Sequence, residues 1–254
     1  MLAPFTLVPA GMDVLNESRR QVGLAAIKDP GDAWRSPLHL YFTAEPFDIS
    51  KDEYPPTLRM VGPGLWEPAA GATPDWLDQI GEPLVLVTAS SELQADDALI
   101  TTTLEALRGQ DVHVIATTVA HDPDRFRATS NATIERWLPH GQLVRKAGCV
   151  VCHGGMGITQ RALAAGTPVC VVPFGRDQFE VAGRVAACGA GTVVMPDQLN
   201  PAALSSAIRE AMTMRAGAAR VAAGFARAGG AAAAADLLEP LHATTARRAE
   251  AVAP

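Results

Sequence analysis

From residue 82 onward the sequence alternates short β-branched runs with stretches of helical character, and few folds accommodate that alternation. The candidate strands are 84–88 (LVLVT), 112–117 (VHVIAT), 133–136 (TIER), 149–152 (CVVC), 169–172 (VCVV) and 192–195 (TVVM). Most are apolar at nearly every position, so they would bury both faces, as strands of a helix-covered parallel sheet do. The segments between them carry helix signals. Asn200 and Pro201 offer an N-cap and an N1 proline, and Leu204, Ile208 and Met212 then repeat at i, i+4 and i+8. Gly166 and Gly189 stand where helix C-caps belong. Residues 81–215 are therefore expected to form an α/β, Rossmann-like doubly wound parallel sheet with helices on both faces.

The flanks differ. Residues 1–80 are rich in proline, with one good helical stretch from Val14 to Leu24 and one strand-like stretch from His39 to Thr43. That is too little regular structure for a separate core, so residues 1–60 read as the remnant of another domain and 61–80 as a linker. Residues 216–241 are alanine-rich and helical with a break at Gly229-Gly230, and 242–254 are expected to be a disordered, frayed tail. A net charge of −6 without a basic cluster excludes a backbone-neutralising nucleic-acid binder. No apolar run approaches the roughly 18 to 20 residues of a transmembrane segment, and the apolar start lacks a positive flank, so a cytoplasmic protein is expected. Cys149, Cys152, Cys170 and Cys188 all lie in apolar segments and read as reduced core residues.

Residues 149–157, CVVCHGGMG, admit two readings. Cys149 to His153 spell a C-x-x-C-H haem-attachment string, whereas His153-Gly154-Gly155-Met156-Gly157 looks like a phosphate cradle. Covalent haem belongs to exported proteins, and here the cysteines fall inside a buried-strand pattern, which favours the cradle. The glycine turn then sits at the carboxyl end of a strand, and Ile158 to Leu163 open the next helix. Ligands of open parallel sheets bind at such ends, and a helix N-terminus offers free N–H groups to an anion. A tight strand-to-helix turn of purely structural purpose would look the same. Two further loops on the same rim, 137–143 (WLPHGQL) and 173–178 (PFGRDQ), add an aromatic surface and an Asp-Gln pair.

With those three loops in place, residues 137–192 resemble the signature region of the family-one inverting, nucleotide-sugar-dependent glycosyltransferases, in particular the bacterial branch acting on antibiotics, macrolides and glycolipids. The likeness extends more loosely to Asn16-x-x-Arg19-x-x-x-Gly23-Leu24, to Val61-Gly62-Pro63 and to Thr88-Ala89-Ser90-Ser91. It implies the C-terminal, donor-binding half of a GT-B fold. Transferred by position, it implies that Trp137 and Leu138 meet the nucleobase. His153, Gly154 and the N–H groups of Gly155, Met156, Gly157 and Ile158 would hold the diphosphate, with a hydroxyl from Ser90 or Ser91. Asp177 and Gln178 would bind the sugar. From the residues alone, Trp137 could equally be core and Ser90-Ser91 a helix N-cap.

Three positions depart from the family pattern. Ile158 stands where Ser or Thr is common, which removes a phosphate hydroxyl unless Thr159 substitutes. Arg161 replaces a Glu that accepts from ribose hydroxyls, which fits a dTDP-linked deoxysugar better than UDP-glucose. Val181 replaces an Asn that helps order the sugar loop. The family's general-base His lies near the start of its first domain, and here the first histidine is His39. The catalytic residues are therefore unknown, and the polypeptide alone is expected to bind nucleotide sugar weakly without transferring it.

The implied partners are a dTDP- or UDP-linked sugar and either a separate N-terminal acceptor domain or a second copy in a homodimer. No cofactor is expected, and the His and Cys residues lack metal-site spacing. A non-catalytic nucleotide-sugar-binding or partner module is the alternative. A dinucleotide oxidoreductase is disfavoured because the glycine turn follows the fourth strand and not the first.

Overall fold

The computed structural model describes residues 9–29, 31–32, 36–49, 54–66, 74–81, 83–92 and 96–252. They fall into two compact units, Met1–His39 with Pro55–Arg59, and Leu40–Tyr54 with Met60–Pro254. In the first, helix α1 (Pro9–Gln21) is followed by a turn that folds back on it. The Asn16 side chain holds both backbone groups of Ile27, accepting from its N–H at 2.8 Å and donating to its carbonyl at 2.9 Å. Arg19 Nε donates to the Ala25 carbonyl at 2.8 Å. The chain passes between the units within two short strands, β1 (His39–Tyr41) and β2 (Leu58–Met60).

The second unit is built on a six-stranded sheet of β3 (Leu84–Thr88), β4 (His113–Thr117), β5 (Ala132–Glu135), β6 (Cys149–Cys152), β7 (Val169–Val171) and β8 (Gly191–Val193), in the order β5-β4-β3-β6-β7-β8. Every neighbouring pair is parallel. The helices between them are α2 (Asp97–Ala106), α3 (His140–Lys146), α4 (Met156–Ala164), α5 (Gln178–Ala187) and α6 (Pro201–Thr213), followed by α7 (Arg215–Ala228) and α8 (Gly230–Val252).

Alternation along the strands divides the core into two layers. Leu84, Leu86, Val150 and Cys152 face α3, α4, α5 and α7, while Val85, Val87, Cys149 and Val151 face α2 and α6. This is the doubly wound α/β sheet expected from the sequence. The order in which successive strands are added reverses between β3 and β6, which creates a crevice at their carboxyl ends.

The local signals act as read. Asn200 Oδ1 accepts from the Ala203 N–H at 3.0 Å, and Leu204 and Ile208 are buried. After α4 the Gly166 N–H donates to Leu163 and the Thr167 N–H to Ala162, which closes the helix in a Schellman motif. Ala186 and Val185 accept in the same way after α5.

The flanks depart from expectation. Residues Leu40–Tyr54 belong with the sheet unit and not with a remnant of 1–60. The reason is packing: Phe47 is buried edge-on to Phe225 of α7, with ring centroids 5.7 Å apart. In the linker expected at 61–80, Val61 and Leu77 are buried, and 67–73 lie outside the described residues, as do 1–8. Helix α8 continues past Leu241, where a disordered tail was expected, to Val252.

Among the described residues one stretch, Arg215–Leu241, is long and apolar enough to cross a membrane by length and composition. The sequence reading counted none, because alanine is weakly apolar and Arg215, Arg220 and Arg227 interrupt the run. Gly229, left-handed at φ 86°, breaks it into α7 and α8, and α7 packs on α4 with Ala218, Val221 and Phe225 in the core.

Candidate functional site

A cleft of about 330 Å³ opens at the switch point between β3 and β6. Thr88, Ala89, Ser90 and Ser91 line it after β3, Val119 after β4, Trp137 and His140 after β5, and His153, Gly155, Gly157 and Ile158 after β6. Two of the three loops that the sequence placed on one rim, those after β5 and β6, are thus brought together, and the loops after β3 and β4 join them, while 173–178 does not line the cleft.

The turn after β6 is shaped by what its glycines exclude. Gly154 has φ 87°, and a Cβ there would lie 2.8 Å from Val171 Cγ1 and 3.2 Å from the Gln178 carbonyl oxygen. A Cβ on Gly155 would collide with Nε2 of His153. The imidazole edge therefore stands directly against the backbone where α4 begins. Gly155 is the N-cap of α4 and offers no side-chain acceptor. The Thr159 N–H makes the first bond back, to the Gly155 carbonyl at 3.1 Å, so the N–H groups of Met156, Gly157 and Ile158 are those a helix leaves for an outside acceptor.

His153 is buried at 8% exposure. Burial pushes its pKa below the ordinary value, while Asp96 and Asp177 pull it up and Arg176 pushes it down. The ring is consequently neutral at pH 7. Its Nδ1 is buried without a hydrogen-bond partner among the described residues. A neutral ring carries one proton, and only Nε2 faces the turn, so we assign the proton to Nε2. One side-chain donor and the first-turn N–H groups then converge on the cleft.

Other residues singled out in the sequence have different surroundings. Trp137 is 45% exposed and lines the cleft, so the side chain is not core. Leu138, beside it, turns into the core. Thr159 is fully buried with its hydroxyl 3.7 Å from Cys152 Sγ, so it does not replace the hydroxyl missing at Ile158. The Ser90 hydroxyl accepts from the Glu92 N–H at 3.2 Å, which makes it a turn cap, not the α2 N-cap, a position held by Asp96. Ser91 is exposed on the cleft wall.

Gln178 lies behind the glycine turn, and neither it nor Asp177 lines the cleft. Asp177 is the exposed N-cap of α5. Gln178 is buried, and its Oε1 accepts from the N–H groups of Phe174 at 2.7 Å and Gly175 at 3.1 Å, so it braces its own loop. Val181 is buried in the core. The Arg161 guanidinium donates to the Trp66 carbonyl at 2.6 Å.

Sequence reasoning missed His140, whose Nε2 lies 3.0 Å from Thr117 Oγ1, and Val119, held at φ 50°. Position could have flagged His140, which lies in the loop already singled out. No sequence signal marks Val119, because β-branched residues avoid that conformation. Among the described residues no group of three or more His, Cys, Asp and Glu side chains is placed to hold a metal.

Comparison with known proteins places this site in context. Residues 101–239 match the family model described as erythromycin biosynthesis protein CIII-like, C-terminal domain. The chain is 32% identical over 197 residues to 4'-demethylrebeccamycin synthase of Lentzea aerocolonigenes, covering 75% of this chain and 47% of that one. It is 30% identical over 223 residues to the PGL/p-HBAD biosynthesis rhamnosyltransferase of Mycobacterium bovis, covering 84% and 48% respectively. The crystal structure of CalG4, the calicheamicin glycosyltransferase, superposes with a TM-score of 0.73 at 25% identity, covering 94% of this chain and 62% of that one. The chain spans about half the length of the curated relatives it matches.

Proposed function

The chain belongs to the family of erythromycin biosynthesis protein CIII-like C-terminal domains, and from that premise we propose that it is the donor-binding half of an inverting glycosyltransferase. The substrate class is a nucleoside-diphosphate sugar, dTDP-linked in preference to UDP-linked. The hexosyl group passes to a hydroxyl of a lipid or secondary metabolite held by the other half of the enzyme. The observation that carries this reading is the convergence of His153 with the first turn of α4 at the sheet's switch point.

The chemistry follows from that convergence. As the glycosidic bond breaks, negative charge gathers on the departing diphosphate. Donors fixed there before the reaction stabilise the transition state more than the ground state. The His153 Nε2–H and the N–H groups of Met156, Gly157 and Ile158 act on the phosphates, and Ser91 adds a hydroxyl from the opposite wall. Trp137 stacks on the base. Asp177 binds sugar hydroxyls once the donor extends past the glycine turn, and Gln178 holds that loop in shape. These donors need no divalent ion to grip a diphosphate. The free thiols, three of them buried and Cys188 half-buried, suit a reducing cytoplasm.

The preference for dTDP rests on Arg161. With its guanidinium drawn to Trp66, the second turn of α4 has no carboxylate for a ribose 2′-hydroxyl. Displacement titrations with dTDP and UDP are expected to favour dTDP, and clear preference for UDP contradicts the assignment. In the same assay Trp137→Ala is expected to weaken dTDP about tenfold, the scale of one stacked base. Unchanged affinity would remove Trp137 from the site.

A further inference from the structure

A buried acid-imidazole couple lies beside the cleft without lining it. His121 Nε2 is 3.0 Å from Asp96 Oδ1, and both side chains are almost wholly buried. The other carboxyl oxygen of Asp96 accepts from the Ser90 N–H at 2.6 Å. His121 is fixed in turn: its N–H donates to the Thr118 carbonyl at 2.9 Å, and Thr118 Oγ1 donates to its carbonyl at 2.8 Å. Thr118 and Val119 are pinned to the neighbouring strand's exit, their N–H groups donating to Glu135 at 3.0 Å and Arg136 at 2.9 Å. A continuous chain of hydrogen bonds thus leads from the rigid end of β5, through His121 and Asp96, to the backbone of Ser90.

We propose that Asp96 and His121 are positioning residues that hold the loop after β3, through the Ser90 N–H, so that Ser91 faces the diphosphate of a bound nucleotide. Three observations carry this. The couple spans two loops of the cleft, and the second of them includes Val119 in a conformation that β-branched residues rarely adopt. An isolated buried carboxyl group is costly, and here both of its oxygens are used, one of them on the loop that lines the site. His121 keeps a buried Nδ1 without a partner among the described residues, so its placement is set by the bond to Asp96 and by edge-on packing against Phe126 with centroids 6.2 Å apart.

The inference rests on the donor-site reading, and its test separates the two. Amide hydrogen exchange at Ser90 and Glu92 in the unliganded chain reports on the loop itself, and dTDP and thymidine titrations report on the site. Asp96→Asn and His121→Leu are expected to speed exchange in the loop and weaken dTDP about tenfold, the scale of one lost hydrogen bond to a charged group. Thymidine, which has no diphosphate, should bind all variants alike. His121→Gln, whose amide can still donate to Asp96, is expected to restore dTDP affinity to within about twofold of the wild type. The proposal is overturned if His121→Leu exchanges and binds as the wild type does, or if the Gln and Leu variants are equally weak. If the wild type binds no dTDP, the donor reading and the phosphate-facing role fall together, whatever the exchange rates show.

Discussion

Replacing His153 with alanine will weaken dTDP binding by about 10- to 100-fold, the range spanned by hydrogen bonds to charged groups. The size of the effect follows from burial. The imidazole is 8% exposed and neutral, and its Nδ1 has no partner among the described residues, so Nε2 is its one available donor. A phosphate oxygen accepting from it does so against a buried side chain, where an interaction with charge is strengthened. The folded chain loses packing at this site but no hydrogen bond from Nδ1, so its melting temperature should move by only a few degrees. Gly155→Ala offers a second route to the same defect, because its Cβ displaces the ring. The two substitutions should therefore be less than additive in affinity. Full affinity in His153→Ala would mean that the helix N-terminus holds the ligand alone.

Gly224→Ala will lower stability by about 3 kcal/mol, near the top of the range for overpacking. Gly224 lies on the buried face of α7, and a Cβ there would overlap the Glu45 carbonyl oxygen and stand 2.9 Å from Pro46 Cδ. Neither obstacle is the end of a flexible side chain. To admit a methyl group, α7 must lift from the 40–54 segment that supplies Phe47 to the core. For a chain of this size the melting temperature should fall by about 6–12 °C. Gly183→Ala is the matched control: it is a helical, exposed glycine whose Cβ would meet nothing within 4 Å. That change should be neutral or stabilising by up to about 1 kcal/mol. Equal melting temperatures for the two variants would show that α7 does not approach the segment as closely as described.

The architecture was legible because each strand is a dense β-branched run, and a strand buried on both faces must lie inside a parallel sheet. Every expected strand exists within two residues of its expected limits. The glycine turn was legible too, because a helix start after a buried strand dictates where its free N–H groups point. Side-chain direction was harder to read. Thr159 shares a face of α4 with Ala162 and Leu163, at i+3 and i+4, and that phase turns its hydroxyl into the core. Leu138 contributes to the core although the tryptophan before it does not.

Contacts made at a distance were not legible. Asp96 and His121 are 25 positions apart, and no local pattern links them. The 40–54 segment joins the sheet unit through Phe47, whose partner Phe225 lies near the other end of the chain. Proline content suggested an irregular segment correctly but could not say what that segment packs against.

The most direct test of the donor-site reading is calorimetric titration of the purified 254-residue chain with dTDP, run beside His153→Ala. The wild type should show a saturable, one-to-one heat that the substitution largely removes. A folded wild type that gives no binding heat would mean that the glycine turn and its histidine shape the fold without gripping a nucleotide, and a variant that binds as tightly would contradict the role assigned to His153.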